Sequence, residues 1–254
     1  MERRLLHHLA GWLGQWPPLA PLQVVGSGRR LEPGWDGRTH PAIAVGHPGG
    51  LLLSVPPVAA PEVRRAAGIA RPDADADAAR RPAYAGGAGA PAGPAPGPPR
   101  PGPPGLPDHL PALVGYPRRR LYAGVFRWTG APAALPEAGE WLPAGDPALP
   151  VWLAAYDSPV LVVRDPDTGA YLAGVGVRRH TACGHELAVD VAPAARGRGL
   201  ARRLFAAAAR RSLDEGAVPT YVHDPGDAAA AGAAAAAGFA ERGWRYHDLS
   251  GSVQ

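Results

Sequence analysis

The chain has no lysine and no asparagine, and only one cysteine, one methionine and three phenylalanines among its 254 residues. With a single thiol, Cys183, neither an intramolecular disulfide framework nor a multi-thiolate metal site can form, so a reducing, cytoplasmic setting without a metal cofactor is expected. No apolar run approaches the ~20 residues that span a bilayer. The start, Met1 to His8, carries arginines but no apolar segment behind them, so neither a leader nor a membrane partner is expected. Charged residues make up only 19% of the chain, and the formal charge is +4. The arginines fall in scattered doublets, with 118–120 the longest run, and no basic stripe alternates with aromatics. That is the pattern of a solvated surface, and no specific nucleic-acid partner is expected from it.

Glycine (34) and proline (32) are abundant instead. Together with the missing lysine, this is what GC-rich coding produces, so composition alone says little about function. The Ala/Gly/Pro stretch 70–110 has hardly a bulky apolar side chain between 86 and 104. Burial there cannot offset an ordering cost of ~1–2 kcal/mol per residue, and a disordered or polyproline-like linker is expected. Ahead of it, an amphipathic helix over 5–13, strands over 41–46 and 51–55 and a short helix over 60–67 predict a small α/β unit, 1–69, packed on the rest. Behind it, strands over 121–128, 160–164, 171–177 and 185–191 lead to a helix over 199–215. A strand over 218–222, a helix over 227–237 and a last strand over 244–249 complete the domain expected at 111–254. The turns 165–169 and 181–184 predict an antiparallel meander.

Within that domain, strand 187–191 runs into Ala192-Pro193-Ala194-Ala195 and then Arg196-Gly197-Arg198-Gly199-Leu200-Ala201-Arg202 at the head of a helix. Such a junction leaves backbone N–H groups unpaired at the positive end of the helix dipole, where an anion is favoured. Gly197 and Gly199 permit close approach and unusual dihedrals, Ala201 keeps the first turn narrow, and Arg196 or Arg198 adds charge-assisted bonds. The segment resembles the GNAT N-acetyltransferase superfamily, whose pyrophosphate loop, Gln/Arg-x-x-Gly-x-Gly/Ala, is matched by Arg196, Gly199 and Ala201. The resemblance extends over about 120–249 and looks closest to the FR47-like branch. It implies a mixed α/β (α+β) fold, a mostly antiparallel sheet flanked by helices, with the small N-terminal α/β unit added. Two positions depart from the family: its usual Asn falls on Asp227, and its thiolate-protonating Tyr falls on Ala234.

The resemblance implies acetyl-CoA as co-substrate and direct transfer of the acetyl group to an amine, on a small molecule or on a peptide or protein. Cofactor contacts would come from Val189, Asp190, Val191, Arg196, Gly197, Arg198, Gly199, Leu200, Ala201, Arg202 and Asp227. The N–H groups of 189–191 would splay from the next strand to pair with pantetheine. For the base, Glu186 and His185 are adjacent, and strand alternation sends them to opposite faces. Glu186 is the favoured candidate, His223 an outside one, and His180 reads as a surface turn residue. Cys183, in a hairpin turn, is not needed for direct transfer. A catalytically silent acyl-CoA-binding module is the alternative, motivated by Ala234. The acceptor's identity and the oligomeric state, a homodimer included, are open at this level.

Overall fold

The computed structural model describes residues 3–34, 36–69, 105–156 and 159–249. Most of the expected linker, 70–104, lies outside the described residues. Its last few positions are described, and Leu110, fully buried, opens a short helix there.

Ten strands form one sheet: β1 (Leu22–Gly26), β2 (Ile43–His47), β3 (Gly50–Val55), β4 (Tyr122–Trp128), β5 (Glu140–Leu142), β6 (Val160–Arg164), β7 (Tyr171–Thr181), β8 (Gly184–Val191), β9 (Val218–His223) and β10 (Arg245–Asp248). Their order is β1-β3-β2-β10-β4-β9-β8-β7-β6-β5. Only β1–β3 and β8–β9 are parallel pairs. The sheet is therefore mixed and mostly antiparallel, and the expected meander is present as β6-β7-β8. The N-terminal strands lie in this same sheet, because β2 pairs with β10 from Ile43↔Asp248 to Gly46↔Arg245. Two edge strands, β1 and β5, were not anticipated from the sequence.

The helices α1 (Arg3–Leu13), α2 (Ala60–Ala66), α3 (Leu110–Leu113), α4 (Leu200–Asp214) and α5 (Ala228–Ala236) cover both faces. On one face, α4 and α5 pack Leu204, Phe205 and Ala208 against Val175, Val177, Leu187 and Tyr221. On the same side, α2 and α3 bury Val63 and Leu110 with Leu53 and Val55. On the other face, α1 buries Leu5, Leu9 and Trp12 against Val45, Phe126, Val218 and Tyr246. Glycines in β7 and β8 allow the close approaches on this second face. A Cβ on Gly184 would collide with the His8 ring of α1, and one on Gly176 with the Tyr156 ring.

Candidate active site

The sheet divides at one place. β8 and β9 pair only from Gly184↔Val218 to Glu186↔Thr220, although β8 continues to Val191 and β9 to His223. Beyond Glu186, the β9-side edge of β8 has no strand partner, and its backbone groups face an open wedge.

On the α4 face of this wedge lies a cavity of about 760 Å³. Its lining holds Val189, Asp190 and Val191, every residue of 196–202, and Asp227, so the structure brings all eleven expected cofactor contacts to one place. The local cause is the loop. Gly197 and Gly199 take φ of 77° and 72°, the left-handed region that costs other residues ~1–2 kcal/mol. Gly199 is the N-cap of α4 and offers no side chain to its first-turn N–H groups, which stay available to an anion. Asp227 also serves as N-cap of α5, accepting from the Ala230 N–H at 2.8 Å. The side chains of Ala229, Ala230, Ala233 and Ala236 give the opposite wall a smooth, narrow surface. Ala234, where the family has its tyrosine, instead points into the core and is fully buried. The phenol of this cavity comes from Tyr221, pushed up to about 12 by burial and by Asp227.

On the α1 face of the same wedge lies a second cavity, about 610 Å³. Trp12, Arg30, Asp36 and His40 from the N-terminal segments, Tyr122 and Val222, and Arg178, His180 and Glu186 line it. At one end, Asp248 Oδ2 accepts from the Tyr246 hydroxyl at 3.1 Å and pairs with His40 Nδ1 at 3.0 Å. His40 Nε2 lies 3.1 Å from Asp36. The hydrogen bond to Asp248 outweighs desolvation and raises the His40 pKa.

At the other end is Glu186, whose Oε1 accepts from Arg178 Nη1 at 2.6 Å and whose Oε2 lies 3.2 Å from His180 Nε2. Burial alone would raise this carboxyl's pKa, but His180 and Arg178 together bring it down to about 2. His185 faces away from both cavities, with Nδ1 3.9 Å from Glu215 of the α4 C-terminus. Desolvation, then Arg179, lowers it to about 4. Alternation separates the two neighbours as expected, and only Glu186 reaches a cavity.

His223 is fully engaged: its Nε2 accepts from Arg127 Nε at 2.9 Å and its Nδ1 donates to the Asp224 carbonyl at 2.9 Å. With that lone pair occupied, it has no free acceptor nitrogen. His180 departs most from its sequence reading. It is no surface turn residue but lies within β7, where the pairing shifts register between Arg179 and Thr181 and leaves it unpaired in the ladder. Its side chain is 11% exposed and stacks on Trp12 with centroids 4.5 Å apart. A bulge of one residue leaves no mark in composition or alternation, so the sequence carried no signal for it. Cys183 sits in the β7–β8 turn and lines neither cavity.

Residues 125–239 match the acetyltransferase (GNAT) family, which marks a GNAT acetyltransferase domain within the chain. GNAT domains use acetyl-CoA as co-substrate. Among solved structures, the chain is similar to a GNAT-family acetyltransferase from Colwellia psychrerythraea, at 16% identity over 57% of this chain and 63% of that one, TM-score 0.39. It is also similar to a putative GNAT acetyltransferase from Novosphingobium aromaticivorans, at 22% identity over 51% of this chain and 64% of that one, TM-score 0.40. A third is a GCN5-related N-acetyltransferase-like protein from Streptococcus suis, at 16% identity over 56% and 66% of the two chains, TM-score 0.38. The chain thus spans less than two thirds of the length of each of these. No curated protein matches it. Among the described residues no helix is long and apolar enough to cross a membrane.

Proposed function

We propose that the chain is an acetyl-CoA-dependent N-acetyltransferase that passes an acetyl group directly to an amine, carried by a small molecule or by a peptide or protein. One observation carries this reading: the two cavities open on opposite faces of the sheet at the single place where β8 and β9 part. A thioester entering along the unpaired edge of β8 from the α4 side meets an amine entering from the α1 side. No covalent enzyme intermediate is needed.

The residues divide by task. The free N–H groups at the head of α4, with Arg196, Arg198 and Arg202, hold the pyrophosphate, which suits a dipole end lined by cations. The N–H groups of Val189 and Val191, which alternate away from β7 toward the wedge, align the pantetheine arm and polarise the thioester carbonyl. Holding both reactants across the wedge supplies proximity, and Glu186 with its partners provides the polar floor at which the amine loses its proton. The acceptor cavity is walled mostly by residues outside 125–239, so acceptor choice resides in the N-terminal segments and β10.

The test is release of CoA thiol from acetyl-CoA by the full chain with a panel of amines, paired with calorimetric binding of CoA. Amine-dependent thiol release is the expected result. CoA binding without turnover on any amine would favour a silent acyl-CoA-binding module, a reading to which the inward-facing Ala234 lends some support. Absence of both would overturn the proposal.

A further inference from the structure

The strand carboxylate that faces the acceptor cavity is a poor place to receive a proton. Both oxygens of Glu186 are taken, one by Arg178 at 2.6 Å and the other by His180 at 3.2 Å, and its side chain is 10% exposed. A carboxylate held this way does what carboxylates do beside catalytic imidazoles: it fixes the ring and its tautomer. His180 Nε2 must carry the hydrogen that Glu186 Oε2 accepts, which leaves the lone pair on Nδ1. That second nitrogen has no partner among the described residues, while the ring itself lines the acceptor cavity. Trp12 stacked at 4.5 Å completes the clamp.

We infer that His180 is the catalytic base of this site, receiving the acceptor's ammonium proton on Nδ1, and that Glu186 is a positioning residue acting through it. The inference rests on the N-acetyltransferase reading. Proton transfer from the ammonium to Nδ1 frees the nitrogen lone pair. The C–N bond then forms and the C–S bond breaks, and CoA leaves as thiolate, which takes up the second proton shed by the amine nitrogen. Overall R–NH3+ and acetyl-S-CoA give the amide, CoA thiol and one proton, which the imidazolium returns to solvent through the cavity mouth.

The surroundings agree with this assignment. Facing the ring from α1 is His8, held neutral by burial and next by His180 itself, with its pKa down to about 3, so it does not compete for the proton. Arg178 of β7 is balanced by Glu186 of β8. Arg30, from the 3-10 turn Gly28–Arg30, is buried and spends its guanidinium on the Trp12 and His40 carbonyls. His185 lies on the far side of β8, beside Glu215.

Three readouts test the assignment. His180→Ala should lower kcat by ~10²–10⁴-fold with little change in the KM for acetyl-CoA, and added imidazole should restore part of the loss. His180→Gln, which preserves more packing on Trp12, guards against a folding artefact, and unchanged calorimetric CoA binding certifies both variants. Glu186→Gln should lower kcat by less than His180→Ala and loosen the Nε2-protonated tautomer, because an amide can donate to the ring as well as accept from it. In nitrogen-15 spectra of the histidine-labelled protein, which need no turnover, neutral His180 should carry its proton on Nε2. The inference is overturned if His180→Ala keeps wild-type kcat, if Glu186→Gln loses more than His180→Ala, or if the proton sits on Nδ1. A wild-type protein that binds CoA but acetylates no amine would overturn the enzymatic reading itself, a failure distinct from activity that survives without His180.

Discussion

At the scale of single residues, the donor side depends on Gly199. It sits in left-handed backbone at the N-cap of α4, and a Cβ there would come within 2.9 Å of Arg202 Nε. Gly199→Val should therefore cost ~1–2 kcal/mol of backbone strain and block close approach of a pyrophosphate, weakening CoA binding by at least about tenfold while the fold persists. Calorimetry with CoA beside a thermal melt checks this, and undiminished binding would remove the loop from the site. Two histidines, His8 buried and His40 half-buried, set a pH dependence of known sign. His8, through burial first, falls to about 3, and its folded form is neutral. Its contribution is complete above the ordinary 6.5 and is lost as pH falls from there toward 3. His40 is shifted upward by Asp248, so its contribution is complete below 6.5 and is lost as pH rises through its raised value. Urea unfolding at pH 5, 7 and 9 should show His8→Phe flattening the acid loss, and His40→Gln costing more at pH 5 than at pH 9.

At the scale of elements, α1 both covers the second face of the sheet and walls the proposed acceptor cavity. It reaches β7 and β8 because Gly184 leaves room for the His8 ring, whose Nδ1 lies 2.9 Å from the Thr181 hydroxyl. Trp12 on the same helix then comes over His180 and Tyr246. Gly184→Ala would force the helix outward at the ~1–3 kcal/mol typical of overpacking. The expected kinetic signature is a raised KM for the amine with CoA affinity unchanged, because the cofactor cavity lies on the other face of the sheet. Equal damage to both substrates would mean that the two faces are not separable.

At the scale of the whole molecule, the described chain on either side of 70–104 converges. Ile69 and Leu106 pack against the same apolar cluster of Leu22, Val24, Leu53 and Val63. Both ends of the connection are thus anchored by burial, and the entropy of closing it varies only slowly with length. Removing 86–104 should shift the melting temperature little and leave CoA binding intact. A large drop would reveal contacts that its composition does not foreshadow. The continuity of β2 with β10 and β4 carries a second consequence. The N-terminal strands extend the sheet that bears the site, and the segments around them bring Trp12, from α1, and His40, just before β2, to the proposed acceptor cavity.

What the sequence by itself determined is local in the chain. Apart from the edge strand β5, the order of strands and helices in 121–249 follows from hydrophobic period and turn residues. The proposed anion loop at 196–202 is read from glycines and arginines adjacent to one another, since the chemistry proposed for it is backbone N–H groups on consecutive residues. The opposite facing of His185 and Glu186 needed only strand alternation. What the tertiary structure decided concerns partners far apart in sequence. The edge strand β1 exists because β3 lies beside it, and the acceptor cavity exists because α1, β10 and the 29–40 segment close over β7 and β8. Arg178 stands opposite Glu186 in regular register, a pairing visible only once the strands are aligned, and His180 falls at the register shift between 179 and 181, which side-chain pattern does not encode. A loop that binds through its own backbone can be read along the chain, but a site assembled across a sheet becomes visible only once strand register is fixed.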